Sequence, residues 1–233
     1  MIPVDAIPPL TRTTLREQAY RLIRQMIIAG RLAPGASLSE RAIGDQLGVS
    51  RAPIKDALLR LEREGFVVSR SDGRYVKELD RQAILQMYVV RERLEVLAAQ
   101  LAAAAITPPK AAVLAERLAE YRAACEAQDL EAFVTADVAT HTAIWEQAEN
   151  PYLLNALSCI AAPTFLRVSD CARFADEHWA TPLHEHEAII AAISRGDASG
   201  AGQAMEGHVQ HALARSLRAS AEMPGDAPAD NDP

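Results

Sequence analysis

Leu47-Gly-Val-Ser-Arg-Ala-Pro-Ile-Lys-Asp-Ala-Leu-Leu-Arg-Leu61 is the stretch on which the fold turns. Ser50 is a residue type that caps helices, and Pro53 falls in the first turn, where a missing N–H costs least. Ile54, Ala57, Leu58 and Leu61 recur at i, i+3, i+4 and i+7, so the spacing predicts a helix with one apolar face. Just upstream, Ser39 is a second capping type, and Ile43 and Leu47 give a short helix that stops at Gly48. Two short helices joined by a Gly-Val-Ser turn have helix-turn-helix spacing. Working outward, Leu15, Ala19, Leu22, Ile23, Met26 and Ile27 form a helical stripe closed by Gly30, and Pro34-Gly35 marks a turn. On the other side, Gly65 ends the third helix, and 66–69 and 74–76 read as strands around Asp72-Gly73, a hairpin dipeptide. The hairpin makes the motif a winged helix-turn-helix.

This geometry places Arg51 and Lys55 one turn apart, away from the apolar stripe and near the end of the helix that enters a major groove. Ser50 sits at the same end, and Arg41, Arg70 and Arg74 are placed to meet phosphates. Charge follows the same division. The 233-residue chain has a net charge of −7, yet up to Asp80 it carries 13 Lys+Arg against 10 Asp+Glu, leaving 11 against 21 beyond. A mildly basic module on an acidic one suits a nucleic-acid reader joined to a non-binding domain. Hydrophobic residues at 49% and charged residues at 24% exclude a disordered chain, and 5% aromatics favour helix over a β-sandwich. No apolar run approaches the roughly 18 residues of a membrane span. Residues 1–10 show no positive segment leading into an apolar run, so the cytoplasm is the expected compartment. Cys125, Cys159 and Cys171 have no CxxC spacing and are expected as reduced thiols.

The segments Gly30-Arg-Leu-Ala-Pro-Gly35, Leu38-Ser-Glu-Arg41, Leu47 to Leu58 as quoted, and Leu61-Glu-Arg-Glu-Gly65 resemble the N-terminal domain of GntR-family bacterial transcription regulators. The resemblance implies operator contacts by Arg41, Arg51, the residue at Lys55 and the wing-tip Gly73. The family has Arg where this chain has Lys55. Lysine keeps the charge but loses the planar fork that reads guanine O6 and N7 together, so Lys55 is expected to meet phosphate rather than a base.

Beyond Asp80 the pattern is helical, with breaks near 107–109, 127–129, 150–151, 181–182 and 196–197, giving an antiparallel bundle of about six helices and a mainly α protein. The expected division is 1–80 for DNA binding, 81–221 for the helical domain and 222–233 as a disordered tail. All six histidines lie between 141 and 211. Asp137 and His141 share a stripe with Phe133 and Ile144 and face inward. Thr181-Pro182 looks like an N-cap with Pro at N1. In the helix that follows, His186 aligns with Ile189, Ile190 and Ile193, whereas His184 does not. His208 lies with Ala201, Met205 and Ala212, with His211 to one side. Imidazoles and one carboxylate are good first-row metal ligands and are costly to bury unpaired, so a divalent ion (zinc, manganese or nickel) or four separately satisfied core residues would each account for them. Arg91 falls on the apolar stripe of Ile84, Tyr88, Leu94, Ala98 and Leu101, beside Glu95 at i+4, which reads as an intrahelical ion pair.

The patterns Asp137-x3-His141, Asn150-Pro151-x-Leu153, Glu185-His186-x2-Ile189 and Met205-x2-His208 resemble the metal-binding FCD ligand domain of the FadR subfamily, in its shorter VanR-like form. The resemblance implies a divalent ion held by Asp137, His141, His186 and His208, with positions left for a ligand carboxylate. It also implies that the Arg of Tyr-x2-Arg-x2-Leu-Glu, here Arg91, lines the effector cavity, with Arg167 as a second candidate. The expected protein is a homodimeric, ligand-responsive repressor that binds double-stranded operator DNA and a small carboxylate and has no catalytic residues. A metal-dependent hydrolase is the alternative, against which stands the absence of HExxH, GxSxG and GxGxxG.

Overall fold

Thr14 Oγ1 accepts the Glu17 N–H at 3.2 Å and opens α1 (Leu15–Ile28), which buries Ala19, Tyr20, Ile23, Ile27 and Ile28. The computed structural model describes residues 14–174 and 179–222, the side chains of 162–163, 165–174 and 219–222 excepted. The buried face of α1 is rotated from the expected stripe, because Leu15 and Leu22 are exposed and Tyr20 is buried instead. The Tyr20 phenol donates to Glu64 Oε2 at 2.7 Å, which lets a polar tip sit at the edge of the core. Ser39 Oγ accepts the Ala42 N–H and starts α2 (Glu40–Leu47), which ends on Gly48 at φ 65. Only glycine takes that left-handed cap without strain. Gly44 is needed for a different reason, since a Cβ there would lie 2.9 Å from the Val49 carbonyl oxygen, where the turn crosses back over the helix.

The turn leads into α3 (Arg51–Arg63), whose Ile54, Ala57, Leu58 and Leu61 are fully buried as the spacing predicts. Each of the three larger side chains contributes roughly 1.5–3 kcal/mol of transfer free energy. β1 (Val67–Arg70) and β2 (Gly73–Val76) pair antiparallel, with Arg70 opposite Gly73. The two-residue turn is therefore Ser71-Asp72, one position earlier than expected. The backbone at 35–38 also pairs with β2, through Leu38 N–H to the Arg74 carbonyl at 2.8 Å and Val76 N–H to the Ala36 carbonyl at 3.0 Å. Phe66, Val67 and Val76 close the core over α1 and α3.

Six helices follow: α4 (Arg81–Ala104), α5 (Pro108–Ala127), α6 (Leu130–Gln147), α7 (Pro151–Phe174), α8 (Ala180–Ser194) and α9 (Ala198–Glu222). The winged module thus precedes a six-helix bundle, as expected. Asp80 and Asp129 cap α4 and α6 through backbone N–H groups, and Asn150 does the same for α7 ahead of Pro151. The expected start of α8 is corrected: the helix begins at Ala180, so Thr181 is inside it and Pro182 is its third residue, still in the turn that needs no N–H partner. α4 lies along α9, α5 along α6 and α8 along α9. α1 reaches across to α6 and α7, with the Gln25 amide donating to Glu131 and Arg31 3.7 Å from the same carboxylate. The tail from 223 onward and residues 1–10 lie outside the described residues. No helix of the described residues is long and apolar enough to cross a membrane.

Candidate functional site

The bundle brings Asp137 and His141 from α6, His186 from α8 and His208 from α9 into one buried cluster. The three imidazoles each offer a nitrogen, and these nitrogens lie within 4.8 Å of one another. His184 and His211 point outward, with side chains 73% and 66% exposed, as their positions off the apolar stripes require.

The nitrogens facing away from the cluster are all occupied. His141 Nδ1 donates to Glu95 Oε2 at 3.0 Å, His186 Nδ1 to the Pro182 carbonyl at 2.8 Å, and His208 Nδ1 to Glu185 Oε2 at 2.8 Å. Acceptors at all three Nδ1 positions place the protons there and the lone pairs on Nε2, an assignment that follows from the hydrogen-bond network. His141 Nε2 and His186 Nε2 then face one another at 3.3 Å, two lone pairs with no proton of their own between them. Asp137 adds charge to the cluster. Its Oδ1 accepts from the Tyr121 hydroxyl at 3.4 Å and lies 3.7 Å from His186 Nε2, while its buried Oδ2 has no partner. A buried oxygen left unpaired beside converging imidazole lone pairs is the donor set that suits a first-row divalent cation. The residues present therefore fit a metal ion.

Electrostatics agree with that arrangement. Burial pushes the His186 imidazole down to about 3, and the neighbouring His208 pushes the same way, so His186 is neutral. Burial likewise lowers His208, against the pull of Glu185. Burial opposes the charge on Asp137, yet its carboxyl is held below the usual range by the positive field of the site, in which Arg91 is the permanently charged member. For Glu95, burial again opposes charge, and His141, Arg91 and Trp145 outweigh it. Glu185 is held at about 2, its desolvation being outweighed by hydrogen bonds from His208 and Arg215.

Arg91 is 1% exposed and forms the expected ion pair, its Nε donating to Glu95 Oε1 at 3.2 Å. Its Nη2 comes within 3.5 Å of His141 Nε2, and its buried Nη1 has no partner. Desolvation disfavours the guanidinium, but Tyr88, Glu95 and Asp137 more than offset it, so Arg91 remains charged. Arg167 falls on the part of α7 whose side chains lie outside the described residues. Spacing arguments missed the residues behind the cluster: Glu95 as the partner of His141, Trp145, Tyr121, Glu185 and Arg215. A signal for Glu95 existed in the Arg91 pattern, but only the fold puts α4 against α6.

On the winged module, Arg51, Lys55 and Arg41 are exposed. Arg51 lies 3.5 Å from Glu40, Arg41 3.7 Å from Asp45, and Lys55 has no ion-pair partner among the described residues. Ser50 starts α3 without a side-chain capping bond, leaving its hydroxyl free of that role. Gly73 is exposed at the wing, and Arg70 stacks on Tyr75 and pairs with Glu78. Arg74 is turned inward, its side chain 19% exposed and held by Glu40 at 2.5 Å and Glu62 at 3.5 Å. That position ties the wing to α2 and α3 rather than presenting a cation at the wing surface.

Two family models match the chain: "FCD domain" over residues 86–211 and "Bacterial regulatory proteins, gntR family" over residues 15–76. Among curated proteins it is similar to the "HTH-type transcriptional repressor RspR" of Escherichia coli (strain K12), 26% identical over 209 residues, 88% of this chain and 89% of that one. It is also similar to the "Probable D-xylose utilization operon transcriptional repressor" of Paenarthrobacter nicotinovorans, 30% identical over 203 residues, 86% and 88% of the two chains. Two solved structures share the fold. E. coli McbR/YncC superposes with a TM-score of 0.77 at 22% identity, covering 89% of this chain and 99% of that one. A GntR transcriptional regulator from Rhodococcus sp. RHA1 gives 0.74 at 23%, covering 88% and 99%. With both halves matched and the winged module joined to the helical bundle, the chain belongs to the GntR family of bacterial transcription regulators and carries an FCD ligand-binding domain.

Proposed function

We propose that this regulator is a homodimeric repressor of the FadR subfamily that senses a small carboxylate at a metal centre in its helical domain. Residues 1–80 read DNA and 81–221 bind the effector. Asp137, His141, His186 and His208 hold the divalent ion, for which zinc, manganese and nickel suit the mixed imidazole and carboxylate donors. When bound, the ion supplies positive charge and open coordination positions to an effector carboxylate. Arg91 supplies the second anchor, since its unpartnered Nη1 is a buried charged donor beside the cluster. The observation that carries this reading is that two buried groups of opposite charge, Asp137 Oδ2 and Arg91 Nη1, are both left without a partner around the histidine cluster. The repressor role rests on likeness to two relatives described as transcriptional repressors.

Operator contact falls to Arg51 for base edges, Lys55 and Arg41 for phosphates, and Ser50, Arg70 and Gly73 at the flanks, with Arg74 bracing the wing. A ligand shifts such a protein only by binding one arrangement more tightly than the other. Metal-loaded and chelated protein, titrated into labelled operator DNA with a panel of small organic acids, tests the reading. An acid that weakens DNA binding only in the metal-loaded protein supports it, and a response unaffected by chelation refutes the metal's part.

A further inference from the structure

Two carboxylates that belong to no ligand set stand directly behind two of the three clustered imidazoles. Glu95 on α4 accepts from His141 Nδ1 at 3.0 Å and from Trp145 Nε1 at 2.8 Å, with both acid and imidazole 1% exposed. Glu185 on α8 accepts from His208 Nδ1 at 2.8 Å and from Arg215 through two bonds at 3.1 and 3.0 Å. His211 adds a fourth bond to Glu185 at 2.9 Å from the solvent side. His186 differs, since its Nδ1 meets only the neutral Pro182 carbonyl.

A carboxylate behind an imidazole N–H fixes the tautomer and the ring plane and makes the opposite nitrogen a stronger donor. Arg215 already satisfies the charge of Glu185 with both arms of its fork. An ion pair joining α8 to α9 would therefore have been complete without His208, which is 3% exposed and turned so that Nδ1 meets the acid. We propose that Glu95 and Glu185 are positioning residues that set the affinity of the histidine cluster for a divalent cation, a role that rests on the metal reading above. Glu185 is the adjustable member, because Arg215 and His211 compete with His208 for its charge. Glu95 is the fixed one, because its other oxygen is held by Arg91 in the buried core.

Zinc affinity of the full chain, measured by competition with a chromophoric chelator, tests this. Glu185→Gln and Glu95→Gln weaken zinc binding about 10-fold and Glu185→Ala about 100-fold, the range found for such outer partners. Glu187→Gln, which loses bonds to His184 and Arg122 at the surface, leaves zinc affinity unchanged. The visible spectrum of the cobalt-substituted Glu185→Ala protein shifts, because the orientation of His208 is no longer fixed. If Glu95→Gln does not fold, the Glu185 series decides alone. Wild type that binds zinc, with Glu185→Gln and Glu185→Ala within about twofold of it, overturns this inference and leaves the metal reading intact. Loss of affinity that only tracks a lower melting temperature of the metal-free protein, with an unchanged cobalt spectrum, makes Glu185 a structural residue and also overturns it. Wild type that takes up no zinc, manganese or nickel removes both readings.

Discussion

Glu95 and His141 are 46 positions apart in sequence and bonded at 3.0 Å in the middle of the helical bundle. The same carboxylate accepts from Arg91 through its other oxygen, so one buried acid ties the guanidinium to the histidine cluster. Whatever moves Arg91 therefore acts on the group that orients His141.

Removing Arg91 exposes that dependence. Arg91→Ala leaves Glu95 charged and fully buried, with only His141 and Trp145 as donors. Breaking a buried pair from one side lowers stability by about 3–5 kcal/mol. Urea unfolding of the metal-free variant checks this. A loss below about 1 kcal/mol means the guanidinium is not what neutralises Glu95. Arg91→Lys keeps the charge and is expected to fold, while losing the forked donor that anchors a carboxylate.

Metal content separates the inward from the outward histidines. His208→Ala and His186→Ala are expected to reduce bound metal sharply, and His184→Ala to leave it at the wild-type level, because its ring faces solvent. Elemental analysis of protein purified without chelator, before and after incubation with zinc, gives the result. Retention of full metal content in His208→Ala would place the ion elsewhere.

Arg51 and Lys55, one turn apart at the start of α3, are expected to behave differently toward DNA. Arg51→Ala abolishes preference for the operator over unrelated DNA. Lys55→Ala weakens binding to both, and the slope of log K against log salt falls by about 0.9 for one lost phosphate contact. Anisotropy titrations at several salt concentrations distinguish them. If Lys55→Ala instead relaxes preference at a single base pair, Lys55 reads a base despite lacking the planar fork.

Thiol chemistry offers a check on the packing of α5. Cys125 lies between α5 and the start of α8, its Sγ 3.8 Å from the Trp179 carbonyl, and burial pushes its thiol up to about 11, with Asp137 adding to the shift. The thiolate is the reactive form, so at pH 8 Cys125 is almost entirely in the unreactive thiol form. Exposed Cys159 should be alkylated by iodoacetamide well before Cys125, as read by peptide mass spectrometry. Labelling of Cys125 at the same rate would show that the packing of α5 against α8 opens freely.

Local pattern determined much of this protein. The cap at Ser39, the left-handed Gly48, the spacing of Ile54, Ala57, Leu58 and Leu61, and the hairpin that follows specify the winged module, because each depends on residues within about one turn of its neighbours. Periodicity also told which histidines face inward, since a helix assigns faces at 100° per residue whatever packs against it. Tertiary structure alone decided what they face. Which helix lies behind α6 depends on packing between segments far apart in the chain, and no spacing places Glu95 behind His141 or Glu185 behind His208. The same reason accounts for Arg74, whose place on the wing is legible in the sequence but whose pairing with Glu40 and Glu62 is not. It accounts too for the contact between modules, where Gln25 of α1 and Arg31 just beyond it meet Glu131 in the first turn of α6.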